Sequence, residues 1–394
     1  MLYSARHMGM GGAAIGYVND PSALFHNPAG LAHTQKGALT ADFSLLLARV
    51  HSSPNIINRD VDSELTVAPL FLLGGAYRIA PRVTAGLGVF PIASAGAKYR
   101  YPGGTVEDET RLVFIEGTPA VAVDLPGRVR IGLGYRLTFV SLERYQGDRA
   151  GNMPGLDFQL QGFNLTGFRA GAQWAPLPWL QVGAVYRHKT ETKVTNDRGI
   201  ALGTEYTDVE TTFVLPSKAG LGGRADWGRV GVAFDVEYLW NSQNEGHPLE
   251  GKPPATPTDP DPARVEVANV FDWSDAVTFR AGAEYRLLPG GATGRERLAL
   301  RLGYVHDGKT TNQRYPSAFG TPPGPTQVFT GGVGWNAGRW QASLAYAFRF
   351  GEGDVRREDV MDPANRRCAF CGYFGNDPYR IRVHGLYVDF GYAF

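Results

Sequence analysis

The chain reads as all-β: a 14-stranded antiparallel transmembrane β-barrel. Three observations predict this. Segments about ten residues long alternate strictly between apolar and polar positions, which is the length a tilted strand needs to cross a bilayer. The connections between them alternate between short and long. The composition favours pleated sheet and tight turns, with 51 Gly, 18 Tyr, 21 Phe and 7 Trp. Lys and Arg number 39 against 38 Asp and Glu, a net charge of +1, so no electrostatic case exists for nucleic acid or an anionic surface as the main partner. The sequence has no run of about 18 uncharged apolar residues, so any membrane span must be β.

The strands follow in order from period-two patterning, near residues 37–50, 64–80, 82–94, 110–124, 128–145, 157–175, 179–194, 205–224, 229–243, 272–288, 297–310, 325–337, 339–352 and 380–394. The clearest place Val230, Val232, Phe234, Val236, Tyr238 and Trp240 opposite Gly231, Ala233, Asp235 and Glu237. Two others match it: Val129 to Phe139 against Arg130, Gly132, Gly134, Arg136 and Thr138, and Trp340 to Phe350 against Gln341, Ser343, Ala345, Ala347 and Arg349. The segments at 110–124 and 205–224 alternate poorly.

Tight connections occur at Ala80-Pro81, Pro126-Gly127, 176–178, 226–228 and 336–338, with 289–296 slightly longer. Long ones span 51–63, 95–109, 146–156, 195–204, 244–271, 311–324 and 353–379. Short turns on one rim and long loops on the other describe an outer-membrane barrel whose short side faces the periplasm. An apolar strand face then meets lipid, where unpaired polar groups are costly, and the face carrying Arg136, Arg169, Arg187, Arg280, Glu284, Arg301 and Asp235 meets the lumen. A large soluble β-sandwich is the competing fold, and it does not explain the asymmetry of the two rims. The last strand ends Leu386, Val388, Phe390, Tyr392, Phe394 in phase, which resembles the signal read by bacterial outer-membrane assembly machinery. The N-terminus lacks a long apolar secretory segment, and the strand pattern favours reading it as a processed form.

Ahead of the first strand lies DPSALFHNPAGLAH. Leu24, Phe25 and Leu31 give it an apolar side, and Asn27-Pro28 sets a turn or helix start. With the glycine-rich lead SARHMGMGG and the Asp20, Asn27, Pro28, Ala29 core, this stretch resembles the N-terminal hatch of the FadL/TodX (OmpP1) outer-membrane transporters of long-chain fatty acids and other hydrophobic compounds. Weaker echoes in GLGVFPIASAGAKYRYPGG and the later strands extend the resemblance over the whole chain.

The resemblance implies residues 1–36 as an N-terminal hatch, a plug of short helices in the lumen, and 37–394 as the barrel, with Asp20, Leu24, Phe25, Asn27, Pro28 and Ala29 as hatch or gating residues. It implies passive transport through an outer groove, a lumenal pocket and a sideways exit, with the loops after strands one and three supplying the groove. It further implies a monomer touching outer-membrane lipid and lipopolysaccharide, and no cofactor or metal. Pro91 lacks the N–H a ladder demands, so Gly88, Phe90, Pro91 and Gly96 are the candidate lateral opening; Pro69 and Pro119 lie in neighbouring strands. Arg136 and Arg301 are candidate partners for a ligand carboxylate. Cys368 and Cys371 sit in the last long loop, where a disulfide is expected outside a reducing compartment. Three other functions are weighed. A general porin would lack the plug, a shuttle barrel would bind a protein through its long loops, and an outer-membrane enzyme finds no Gly-x-Ser-x-Gly or His-Glu-x-x-His motif here.

Overall fold

A computed structural model of the chain describes residues 3–52, 61–100, 106–201, 203–267, 270–288, 298–314, 324–354 and 378–394. Fourteen antiparallel strands form a closed barrel. The wall strands are β1 Gly37–Ser52, β2 Thr66–Ala80, β3 Val83–Arg100, β4 Val106–Leu125, β5 Val129–Asp148 and β6 Met153–Leu177. β7 is broken into Leu180–Arg187 and Thr190–Ala201, and β8 into Thr204–Leu215 and Lys218–Trp227. The remaining six are β9 Val230–Leu239, β10 Ala276–Leu288, β11 Leu298–Asp307, β12 Thr326–Ala337, β13 Trp340–Asp354 and β14 Pro378–Ala393. β1 closes the wall on β14, from Ala38 opposite Ala393 to His51 opposite Arg380.

Lipid decides the faces. On β9, Val230, Val232, Phe234, Val236 and Tyr238 are exposed on the outside while Ala233, Asp235 and Glu237 are buried inside. Aromatic pairs mark both rims: Trp179 stacks on Trp227 at 6.0 Å and Trp340 meets Tyr392 at 4.6 Å beside the short turns. Near the long loops, Trp240 packs edge-on against Tyr238 at 5.1 Å and Tyr186 at 6.2 Å. Such rings suit a membrane interface, being apolar in body and polar at the tip.

Three of the expected long loops prove to be strand. β3 and β4 pair as far as Arg100 opposite Glu107, so most of 95–109 is ladder. β5 and β6 pair to Asp148 opposite Met153, and β7 and β8 to Ala201 opposite Thr204, which takes in most of 146–156 and 195–204. These extensions carry no lipid-facing apolar stripe. Cross-strand charges decorate them instead, as in Lys98–Glu107 at 3.2 Å and Arg100–Glu107 at 3.0 Å, so apolar alternation does not reveal them. The 244–271 loop adds a hairpin, Leu249–Lys252 on Val265–Val267, whose first strand also pairs with β8 at Thr207 and Glu210.

Candidate transport path

The described N-terminal residues lie inside the barrel as two short helices, α1 Ala5–Met8 and α2 Ala23–His26, followed by a 3₁₀ segment over Pro28–His33. The Asn-Pro-Ala motif has a local cause. Asn27 Oδ1 accepts from Ala29 N at 3.1 Å and caps the 3₁₀ turn, and Pro28 fills its first position, where no N–H is needed. Asn27 Nδ2 donates to Ile15 O at 2.8 Å within the hatch and to Ala172 O of β6 at 3.1 Å. Wall glycines admit this close approach: a Cβ at Gly132 would overlap the Pro28–Ala29 backbone, and one at Gly171 the Asn27 side chain. Asp20 accepts from Ser22 N at 2.8 Å and Ser22 Oγ at 2.5 Å ahead of α2, and lies 3.8 Å from Arg6.

Wall carboxylates hold the rest of the hatch. Asp235 Oδ2 accepts from Ala14 N at 2.8 Å and Ile15 N at 3.1 Å, and Asp389 Oδ2 from Ser4 Oγ and Arg6 N, each at 2.9 Å. His26 Nε2 donates to Tyr3 O at 2.8 Å, and its ring lies 5.1 Å from that of His7. Burial pushes His26 down to about 4, and burial followed by the neighbouring His26, Arg6, Arg301 and Arg224 pushes His7 well below the usual histidine range.

Around the hatch runs a belt of buried ion pairs. Glu116 receives Arg136 Nε at 2.5 Å and Arg169 Nη2 at 3.0 Å, Glu237 receives Lys218 Nζ at 2.5 Å and also Arg280, and Glu284 receives Arg224 Nη2 at 2.6 Å and Arg301 Nε at 2.8 Å. Arg136 also donates to His188 O at 2.6 Å. The two arginines named from sequence as ligand partners thus sit in separate carboxylate clusters. Arg301 lies against Gly9 of the hatch, and Arg136 directly below an apolar region.

The resemblance implies a lumenal pocket but does not say which residues line this apolar region. Moving outward along the inner face, β4 passes from Glu116 to Phe114 and Leu112, and β5 from Arg136 through Thr138 to Val140 and Leu142. With Phe158 and Leu160 of β6, Val194 of β7 and Phe213 of β8 these side chains form one buried cluster. Along β4, β5 and β6 the lumenal face is charged at hatch level and apolar above it, and charge returns further out, where Arg144 pairs with Asp108 and, across the barrel, Arg349 with Asp307 at 2.5 Å. At the extracellular end the cluster reaches a shallow groove between the tops of β6, β7, β8 and the hairpin, lined by Phe158, Ile200, Tyr206, Val209, Leu249 and Val267. The stretches after strands one and three that the resemblance pointed to, 53–60 and 101–105, lie outside the described residues, as do Cys368 and Cys371.

At its lower end the cluster reaches a break in the wall. β2 and β3 pair from Ala80–Val83 up to Leu73–Val89, and their ladder stops there. β2 still pairs with β1 as far as Thr66, and β3 with β4 to Arg100, with a register shift between Pro91 and Ala93. The two strands meet again where Glu64 N donates to Lys98 O at 2.7 Å. Leu70, Leu72, Phe90 and Ile92 line the inside of the break and belong to the same apolar cluster. Hatch and break touch. Tyr3 OH donates to Pro91 O at 2.5 Å, Phe25 packs edge-on against Phe90 at 5.5 Å and Tyr3 at 5.1 Å, and a Cβ at Gly88 would come within 2.7 Å of Leu24 Cδ1. Gly96 serves another need, since a Cβ there would overlap Thr110 O of β4. The structure therefore brings Leu24 and Phe25 together with Gly88, Phe90 and Pro91, and adds Tyr3, which carries no sequence signal.

No curated protein sequence matches the chain. Solved structures with the same fold cover all of it. A FadL homologue of Pseudomonas aeruginosa superposes with a TM-score of 0.76 at 15% identity over 100% of this chain and 99% of that one. The toluene transporter TodX of Pseudomonas putida gives 0.70 at 16%, over 100% and 98%, and the toluene transporter TbuX of Ralstonia pickettii 0.68 at 17%, over 100% and 98%. Residues 3–354 match the family described as outer membrane protein transport protein (OMPP1/FadL/TodX). With a hatch-filled barrel of fourteen strands and this match over most of its length, the chain belongs to the OMPP1/FadL/TodX family and is a multi-pass protein of the bacterial outer membrane.

Proposed function

We propose that the protein carries hydrophobic molecules passively across the outer membrane, taking them up at the extracellular groove, holding them in the apolar chamber above the hatch and releasing them sideways through the β2–β3 break at Pro91. One observation carries this reading: a single buried apolar cluster runs from Phe158 and Leu249 at the groove to Leu72 and Phe90 at the break, where the Arg169 guanidinium lies 5.9 Å from the Phe90 ring. A water-filled pore gives an apolar solute no favourable environment, whereas burial against such a lining stabilises it by roughly 25 cal/mol per Å² of apolar surface. Leu24, Phe25 and the Asp20 and Asn27-Pro28-Ala29 framework hold the hatch under the chamber, and Tyr3 latches the break.

Long-chain fatty acids suit this architecture. The chamber takes the chain, and Arg136 at its floor, whose Nη2 is buried without a hydrogen-bond partner, offers the acidic head a donor. Monoaromatic hydrocarbons, the cargo of the toluene transporters with the same fold, need the chamber but not the arginine. The test is a Leu72→Cys, Phe90→Cys crosslink across the break in a Cys368→Ser, Cys371→Ser background, with uptake of labelled oleate and of toluene measured in cells lacking other carriers. Uptake blocked by oxidation and restored by reductant is the expected result. Unchanged uptake through a fully crosslinked protein would defeat the sideways exit, and purified protein that neither retains nor binds any apolar molecule would defeat the transport reading.

A further inference from the structure

The wall has a second break, between β6 and β7. From Arg169 opposite Arg187 downward the two strands pair regularly. Just outward of that point His188 N donates to Phe168 O at 3.0 Å, and beyond it only Gln161 opposite Thr195 is paired before Asp157 opposite Ile200. Residues 162–167 thus face 189–194 without a ladder, although the pairs on either side keep one register, so the span is unzipped rather than slipped. The opposite edge of β6 remains paired with β5 over the same span, apart from a bulge that leaves Leu165 and Thr166 unopposed between Asn164 and Gly167. Bulges of this kind re-aim side chains and end pairing beside functional sites.

Side chains do the closing. Asn164 Nδ2 donates to Glu191 O at 2.6 Å, and Asn196 Nδ2 to Gln159 O at 2.6 Å. Gly162 and Gly167 flank Asn164 and let the strands touch, because a Cβ at Gly162 would overlap Lys193 O and one at Gly167 would come within 2.7 Å of Thr190 Cγ2. The two faces of the span differ. Outside, Phe163 is 73% and Leu165 59% exposed, next to the charged Lys193 and Glu191 on β7, a mixture that belongs at the boundary between lipid and water. Inside lie Leu160 and Val194 of the chamber, and below them Thr190, Thr192 and Arg187, whose hydroxyls and Nε are buried with no hydrogen-bond partner. Unpaired polar groups buried in a wall are costly, and a passing polar head would satisfy them.

We propose that the β6–β7 seam is a second lateral port, through which a single-chain amphipath lying at the outer surface of the membrane enters the chamber, its polar head passing Thr190 and Thr192 and its chain following Leu160 and Val194. This rests on the chamber being the ligand's path, as inferred above. It adds, for ligand already in the membrane, an entry at β6–β7 beside the extracellular groove and keeps the exit at β2–β3. A fatty acid already partitioned into the membrane surface then needs no return to water before capture.

Hydrogen exchange and a crosslink test this together. In the protein reconstituted in bilayers, amides of 162–167 and 189–194 should exchange faster than those of β5 at the same height, and Asn164→Ala should speed both their exchange and uptake of membrane-loaded oleate. A Phe163→Cys, Lys193→Cys disulfide in the Cys368→Ser, Cys371→Ser background should slow that uptake severalfold, recover with reductant and leave equilibrium oleate binding unchanged. Slow exchange across the seam, or full-rate uptake with the disulfide formed, overturns the port. Loss of oleate binding in the unaltered protein would instead strike the transport reading, and an effect of the β2–β3 crosslink alone would leave that reading standing without the port.

Discussion

The two halves of the lumen solve opposite problems. At hatch level the wall carboxylates are committed: Glu116 and Glu237 each hold two cations, Glu284 holds Arg224 and Arg301 with Arg286 at 3.6 Å, and Asp235 and Asp389 hold the hatch. One strand-turn further out the same β4 and β5 present Phe114, Leu112, Val140 and Leu142, which bind nothing by hydrogen bond. The polar half fixes one arrangement, because each group removed leaves another buried and unpaired. The apolar half fixes none and tolerates exchange of its contents. A stopper and a container can therefore be built on the same strands by changing only the residues of one face.

Truncations on one strand sharpen this contrast most. Glu116→Ala leaves Arg136 and Arg169 without their shared carboxylate in a fully buried site, a loss expected to cost about 3–5 kcal/mol. It should show as a lower unfolding temperature in detergent and loss of the heat-modifiable folded band on gels. Phe114→Ala, two residues along, should cost about 3 kcal/mol, the low end for a buried phenylalanine because the lining can relax, while weakening oleate binding about tenfold through lost apolar contact. Equal stability losses with oleate affinity unchanged in Phe114→Ala would erase the distinction between the two halves.

A smaller effect separates hatch from wall. Asn27→Ala removes the cap on Ala29 and the bond to Ala172, together about 1–3 kcal/mol of hatch docking. Protease should cut the N-terminal 36 residues sooner, with barrel melting unaltered. A barrel that melts with the hatch would show the two to be one cooperative unit.

Much of this was legible in the sequence, for a physical reason. Lipid writes period two into most of the strands it touches, so the fourteen strands and their order could be read from alternation together with the turns between them, and the two rims from the lengths of the connections. The Asn27-Pro28 turn could be read because capping is local. Where alternation failed, at residues 110–124, the cause is now plain: Leu112, Val113, Phe114 and Ile115 are apolar on both faces because lipid lies outside and the chamber inside. A poor strand signal was the trace of the chamber. The strand extensions escaped because charges, not lipid, dress them. Pro91 marked the β2–β3 break since proline lacks a donor, but the β6–β7 break has no such residue, and Asn164 and Asn196 look like ordinary polar positions until the missing ladder is seen. Tyr3 was out of reach altogether, its bond to Pro91 spanning most of the first hundred residues.

The smallest predicted effect is the pH dependence of hatch docking. His26 is buried against Tyr3, Phe25 and His7, with Asp20 of the hatch and Lys218 and Arg280 of the wall as its nearest charges. Its folded value of about 4 lies below the value near 6.5 that an exposed histidine takes. Between these limits the released hatch binds a proton that the docked hatch does not, so docking is complete above about pH 6.5 and weakens as pH falls toward 4. At pH 5.5 the loss from His26 is about 1 kcal/mol, with His7 adding in the same direction. Tyr3 is tied to both His26 and Pro91, so the same acidification loosens the latch on the β2–β3 break. Hydrogen exchange of residues 3–36 should quicken between pH 7.5 and 5.5 while that of β9 to β13 holds constant after correction for intrinsic rates, and His26→Gln should shrink the difference. An unchanged pH response in His26→Gln would mean that other groups, not the buried imidazole, set the acid sensitivity of the plug.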